Sequence, residues 1–82
     1  MTYAKLPAQP KALRVISQQL WCCCREAGIV VFDSNLRQQR TIPRGDTGGD
    51  VNDVAELGTD GVVIATVGGL FQAFERGKHG VT

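Results

Sequence analysis

The chain has 82 residues and a mass of 8.8 kDa, which is room for one small domain. Nine Lys and Arg against eight Asp and Glu leave a formal net charge of +1, too weak a field for a dedicated nucleic-acid or membrane-surface binder. Hydrophobic residues make up 43%, which excludes a disordered chain, and no apolar run reaches the roughly 18 residues of a bilayer span.

In chain order, residues 1–7 end on Leu6-Pro7 and read as an extended outer strand. Leu13, Val15 and Ile16 form an apolar stretch, and Ser17-Gln18-Gln19 can turn. Leu20 to Cys24 is a strand-like run, Arg25 to Gly28 turns again, and Ile29 to Asp33 is the next strand. Gln38 to Ile42 follows and stops at Pro43, which has no donor to continue a ladder. Residues 44–53 are polar and rich in glycine, and read as a connecting loop.

The second half carries the clearest signal. Val54 and Leu57 lead into Thr59-Asp60-Gly61, a tight-turn signature. The β-branched run Val62 to Val67 precedes a second turn at Gly68-Gly69, and Leu70 to Phe74 completes a hairpin. The expected divisions are thus residues 1–7, a first unit at 8–43, the connection at 44–53, and a second unit at 54–82 that is short of one strand.

A helix competes for one segment. Leu13, Ile16, Leu20 and Cys23 also fit one helical face, and Gly28 can end it. A helix over about 10–26 on a small sheet is the α+β alternative. The consecutive Trp21, Cys22, Cys23 and Cys24 disfavour it by propensity.

The two halves share an order: apolar stretch, turn, β run, glycine-containing turn, β run. Gly28 and Gly69 lie 41 residues apart, as do Ile29 and Leu70; Trp21 lies 42 before Val63, and Val15 lies 42 before Leu57. A period near 41 suits a four-stranded propeller blade. The segment VAELGTDGVVIATVGGLFQAF, Val54 to Phe74, resembles a blade of NHL-type and two-component-regulator-type β-propellers. LRVISQQLWCCCREAGIVVFD, Leu13 to Asp33, is similar but lacks the Asp-Gly turn. The resemblance implies an all-β chain of about two blades, packed through Leu13, Val15, Trp21, Ile29, Phe32, Val54, Leu57, Ile64, Leu70 and Phe74.

Two blades cannot close a ring, since propellers need about four to eight. The expectation is a cyclic homo-oligomer, with three copies favoured, in which residues 1–7 complete a blade of a neighbouring copy. A fragment of a longer propeller, or an engineered one, would show the same pattern. Small domains also need a source of stability beyond one core. Cys22, Cys23 and Cys24 are adjacent and odd in number, so they do not supply a disulfide framework; they read as small buried hydrophobes in a reducing, cytoplasmic setting. Among the first 20 residues there is no apolar core of a secretory signal.

Candidate chemistry is sparse. His79 is the only histidine, so a multi-His metal site is not expected. Ser17 and Ser34 have no histidine partner and no nucleophile elbow. The loop RGDTGGDVND, Arg44 to Asp53, lacks both EF-hand and phosphate-loop spacing. It is expected to share one face with the turn at 25–28 and the turn at 67–69, which makes Arg25, Glu26, Arg44, Asp46 and Asp50 the candidate contact residues for a protein partner. The sequence-level reading is a non-enzymatic, self-assembling β-propeller scaffold without cofactor, metal, nucleic acid or membrane. The alternative is a small α+β inhibitor or regulator of a larger protein.

Overall fold

The computed structural model describes residues 3–59, 61–69 and 71–75, the last five as backbone only. Seven strands and one helical turn follow in order: β1 (Ala12–Ile16), β2 (Gln19–Cys23), β3 (Ile29–Phe32), β4 (Gln38–Ile42), α1 (Arg44–Thr47), β5 (Val51–Leu57), β6 (Gly61–Thr66) and β7 (Phe71–Glu75). They form two antiparallel meanders, β1-β2-β3-β4 and β5-β6-β7. The described residues are therefore all-β apart from one short turn of helix. None of the described helices is long and apolar enough to cross a membrane.

The helix over 10–26 does not form. Its residues are β1, the Ser17-Gln18 turn and β2. Trp21 and Cys23 on β2 alternate with Leu20 and Cys22, and both sets are apolar because the strand is covered on both sides. A helix would bury only one stripe of that run.

One core lies between the sheets. Ile16, Trp21, Cys23, Ile29, Val31 and Ile42 project from the first sheet onto Val51, Val54, Val62 and Ile64 of the second. Each such large apolar side chain contributes about 1.5–3 kcal/mol on burial. The Trp21 indole is fully buried and its Nε1 has no hydrogen-bond partner among the described residues. Its place is held by packing alone. β5 lies against β1 and β2, so the first strand of each meander lies toward the other sheet.

A second cluster sits on the far side of the first sheet. Cys22, Cys24, Val30 and Phe32 pack there with Leu6, Ala8, Leu20, Ala27 and Leu36. Residues 3–10, of which 3–7 were expected in an outer strand, pair with no strand among the described residues; Leu6 and Ala8 pack on this face. Residues 44–53 are not a plain loop: they hold α1 and the start of β5.

Several packing expectations shift with this geometry. Trp21, Ile29, Phe32, Val54 and Ile64 are buried as expected. Leu13 and Val15 are not: they point outward from β1 and are 49% and 76% exposed. Leu57 is exposed at the end of β5. Leu70 lies outside the described residues, and of Phe74 only the backbone is described.

The ladders of the two meanders share one register. Arg14 faces Trp21 and Val31 follows; Ala55 faces Val63 and Ala73 follows. On this pairing Ile16 corresponds to Leu57, 41 residues on, but Trp21 to Val63 and Ile29 to Phe71 are 42 apart. The correspondences of Val15 to Leu57 and of Ile29 to Leu70 are thus one residue out. The extra residue sits in the first turn of the second meander, three residues between Leu57 and Gly61 against two between Ile16 and Gln19.

That two-residue turn has both residues at positive φ, Ser17 at 49° and Gln18 at 63°. Asn-Gly is the preferred pair in such a turn, because neither residue resists a left-handed backbone as Ser and Gln do. Replacing Ser17-Gln18 by Asn-Gly is expected to raise stability by about 1 kcal/mol, read as a higher denaturant midpoint at unchanged slope.

Candidate functional site

The turn after β2 begins the site. Ala27 N–H donates to Cys24 O at 2.9 Å, and Gly28 N–H donates to Arg25 O at 3.1 Å. Arg25 and Gly28 both have positive φ, 49° and 83°. At Gly28 the position has a second constraint: a β-carbon there would overlap the Ile42 carbonyl oxygen and crowd the Arg44 nitrogen. Only glycine lets the turn sit under the end of β4 and the start of α1.

The same turn ties the sheets together. Val51 N–H donates to Arg25 O at 3.1 Å, an isolated bridge between the first meander and β5. On the other side Val67 N–H donates to Asp50 O at 2.8 Å. The chain reaches Asp50 through α1, a single turn that opens after Pro43 and closes on Gly48 at φ 80°. Gly48 N–H donates to Arg44 O at 3.1 Å. Buried Thr47 holds the loop from within, its Oγ1 lying 2.8 Å from Gly49 O and 3.0 Å from Arg44 O.

These constraints bring Arg25, Glu26 and Asp50 to one open cleft of about 320 Å³, together with Lys11, Asn52 and Val67. Arg44 joins through Asp50, whose Oδ1 accepts from its Nε. Asp46 is exposed on α1 and does not line the cleft. Four of the five contact residues expected from loop position therefore converge, one of them through an ion pair. Lys11, Asn52 and Val67 were not singled out in the sequence. Their places depend on the packing of the two sheets, and nothing local marks them. His79 lies outside the described residues.

The cleft is lined by two cations, Lys11 and Arg25, and two carboxylates, Glu26 and Asp50, with the exposed Val67 adding an apolar surface. Such a lining suits an uncharged or charge-balanced polypeptide segment rather than a polyanion. No nucleophile is paired with a base among the described residues that line it. Among the described residues no group of three or more His, Cys, Asp or Glu is placed to hold a metal ion.

The cysteines stand apart from the cleft. All three are free and buried. Burial pushes the Cys22 thiol up to about 11 and the Cys23 thiol up to about 12. Cys24 is raised for the same reason, and its Sγ–H points to the Cys22 carbonyl at 3.6 Å. Thiols of this kind are protonated and inert at neutral pH. A second charged pair, Arg14 with Asp53 at 2.9 Å, bridges β1 and β5. Its hydrogen bond lowers the Asp53 carboxyl and raises the Arg14 guanidinium. Both side chains are about half exposed, so the pair contributes little to stability.

Two outcomes follow from this geometry. Gly28→Ala is expected to cost more than about 2 kcal/mol, whereas Gly58→Ala, which meets open space, costs less; urea titration compares them. The cysteines resist a thiol reagent in the native protein and all three react once it is unfolded. Their native values lie above an unfolded value near 8.5, so the folded state holds protons that the unfolded state has lost. Stability is therefore full below about pH 8.5 and falls as pH rises toward 11. A thermal melting series in pH reads this, and Cys22→Ala with Cys23→Ala flattens it.

Comparison with known proteins finds no family model, no curated protein and no solved structure that matches this chain.

Proposed function

We propose that the chain is a non-enzymatic, propeller-like module that assembles with copies of itself into a ring and serves as a scaffold for protein interaction. The observation that carries this reading is the sense in which the two sheets stack. Equivalent positions of the two ladders face opposite ways relative to the interface. Trp21 points into it, while its counterpart Val63 points out; Leu13 points out, while its counterpart Val54 points in. A two-fold sandwich would turn the same face of each sheet inward. A same-sense stack repeats, and its ends remain open until further blades close them.

The resemblance of both halves to propeller blades and the run from β4, the far edge of one meander, to β5 at the interface support the same reading. The partner surface is the cleft at Arg25, Glu26 and Asp50 with the Arg44 pair beside it. Asp46 belongs to the same loop face without lining the cleft. Cleft lining and loop position, rather than catalytic chemistry, motivate it.

The test is absolute mass by light scattering after size exclusion. A discrete multiple of 8.8 kDa is expected, with three copies and hence six blades favoured. A monomer at every concentration overturns the ring. With the ring in hand, charge reversal at Arg25 and Asp50 is expected to leave the mass unchanged while abolishing capture of a partner.

A further inference from the structure

Only part of the charge that lines the cleft is open to a partner. The Asp50 carboxylate accepts from the Arg44 Nε, and its carbonyl accepts from Val67 N–H at 2.8 Å, so this residue is committed on both counts. The side chains of Lys11, Arg25 and Glu26 are exposed and make no hydrogen bond or ion pair among the described residues. The cleft therefore presents two unanswered cations and one unanswered carboxylate.

Two features of the backbone hold these groups at the cleft. Arg25 keeps a φ of 49°, a left-handed conformation that a side chain resists, because its carbonyl accepts from both Gly28 N–H and Val51 N–H at 3.1 Å. The guanidinium thus grows from a backbone tied to both sheets. Asn52 is the extra residue of a β-bulge: Val51 faces Thr66 and Asp53 faces Ala65, so Asn52 opposes no residue of β6. A bulge re-aims a side chain out of the regular ladder, and Asn52 is exposed and lines the cleft. Its carboxamide carries both donors and an acceptor, the complement of one peptide unit. Val67, 66% exposed, gives the same cleft an apolar patch.

We infer that the cleft captures an extended segment of a protein partner in which two acidic side chains and one basic side chain stand next to an aliphatic one. The acids pair with Lys11 and Arg25, the base pairs with Glu26, a peptide unit bonds to the Asn52 carboxamide, and the aliphatic side chain covers Val67. This rests on the partner-surface reading above and names the chemistry that reading leaves open. A run of acids would set a like charge against Glu26, and a run of bases would meet two cations; such mismatches are what give a charged surface its specificity. Exposed pairs are individually weak and screened by salt, so a short peptide is expected to bind with a Kd of about 1 mM.

The test is a charge swap on the full chain, read by amide chemical shifts at up to about 5 mM peptide. The probes are three acetylated and amidated peptides, Glu-Lys-Glu-Leu, Lys-Glu-Lys-Leu and Gln-Gln-Gln-Leu. The first is expected to bind best, with its shifts centred on Arg25, Glu26 and Asn52, and to weaken about fivefold between about 0.05 and 0.5 M salt. The triple variant Lys11→Glu, Arg25→Glu, Glu26→Lys is expected to prefer Lys-Glu-Lys-Leu by about fivefold. If that variant loses its β-sheet circular dichroism, Lys11→Glu alone, ahead of β1, is expected to weaken Glu-Lys-Glu-Leu about threefold and to leave the neutral peptide unchanged. Equal binding of the three peptides, or an unchanged order in the variant, overturns the charge pairing and leaves the cleft as the partner surface. Shifts centred away from the cleft, or no binding of any peptide, overturn the cleft itself. The ring is judged separately, by the mass of the assembly.

Discussion

The contact between the Trp21 face of the first sheet and the Val54, Val62 and Ile64 face of the second holds the molecule together. A meander of four short strands cannot bury both of its faces, and one of three strands has still less to bury. Pressed together they share one core of fully buried side chains. The rest is arranged around that contact. It sets β5 beside β1 and β2, brings Val51 within bonding distance of the Arg25 carbonyl, and so places the loop of α1 over the turn at 25–28. The cleft is a consequence of the stack and has no independent scaffold.

The cost of this arrangement is visible at two places. The Trp21 Nε1 donor is buried without a partner among the described residues, a penalty of about 1–3 kcal/mol that the apolar surface of the ring has to offset. The first hairpin closes on Ser17 and Gln18 in a left-handed conformation suited to other residues. Against these stand the cysteines, which fill space between large side chains and stay protonated because their surroundings are dry. Their burial on both faces of β2 explains why three in a row are tolerated: the strand sends alternate side chains to two different cores.

The stack also leaves apolar side chains of the first sheet exposed on a small domain. Leu13 and Val15 would be anomalies on a closed sandwich. They lie on the outward face of the first sheet, and the short segment carrying Leu6 and Ala8 packs on the neighbouring part of that face. The cleft at Arg25, Glu26 and Asp50 and the outward faces of the two sheets share no lining residue.

Much of the fold is legible in the sequence, because strands and tight turns are encoded locally. The β-branched run at 62–67, the stop at Pro43 and the turn at Gly28 each act through the backbone of a few residues, and β4, β6 and the turn at 25–28 stand where those signals put them. The helical pattern at 13–23 is the informative failure: its periodicity is real, but burial on both sides of β2 rewards the strand. Four of the five loop residues chosen by position border the cleft or pair with a residue that does, since the connectivity of a meander already sends alternate turns to one end. What only the tertiary structure decides is which face of each sheet turns inward, and with it the exposure of Leu13 and Val15, the pairing of Arg14 with Asp53 across 39 residues, and the recruitment of Lys11, Asn52 and Val67. In strands apolar on both faces, alternation does not say which face is covered; that depends on the packing partner, which lies far away in the chain.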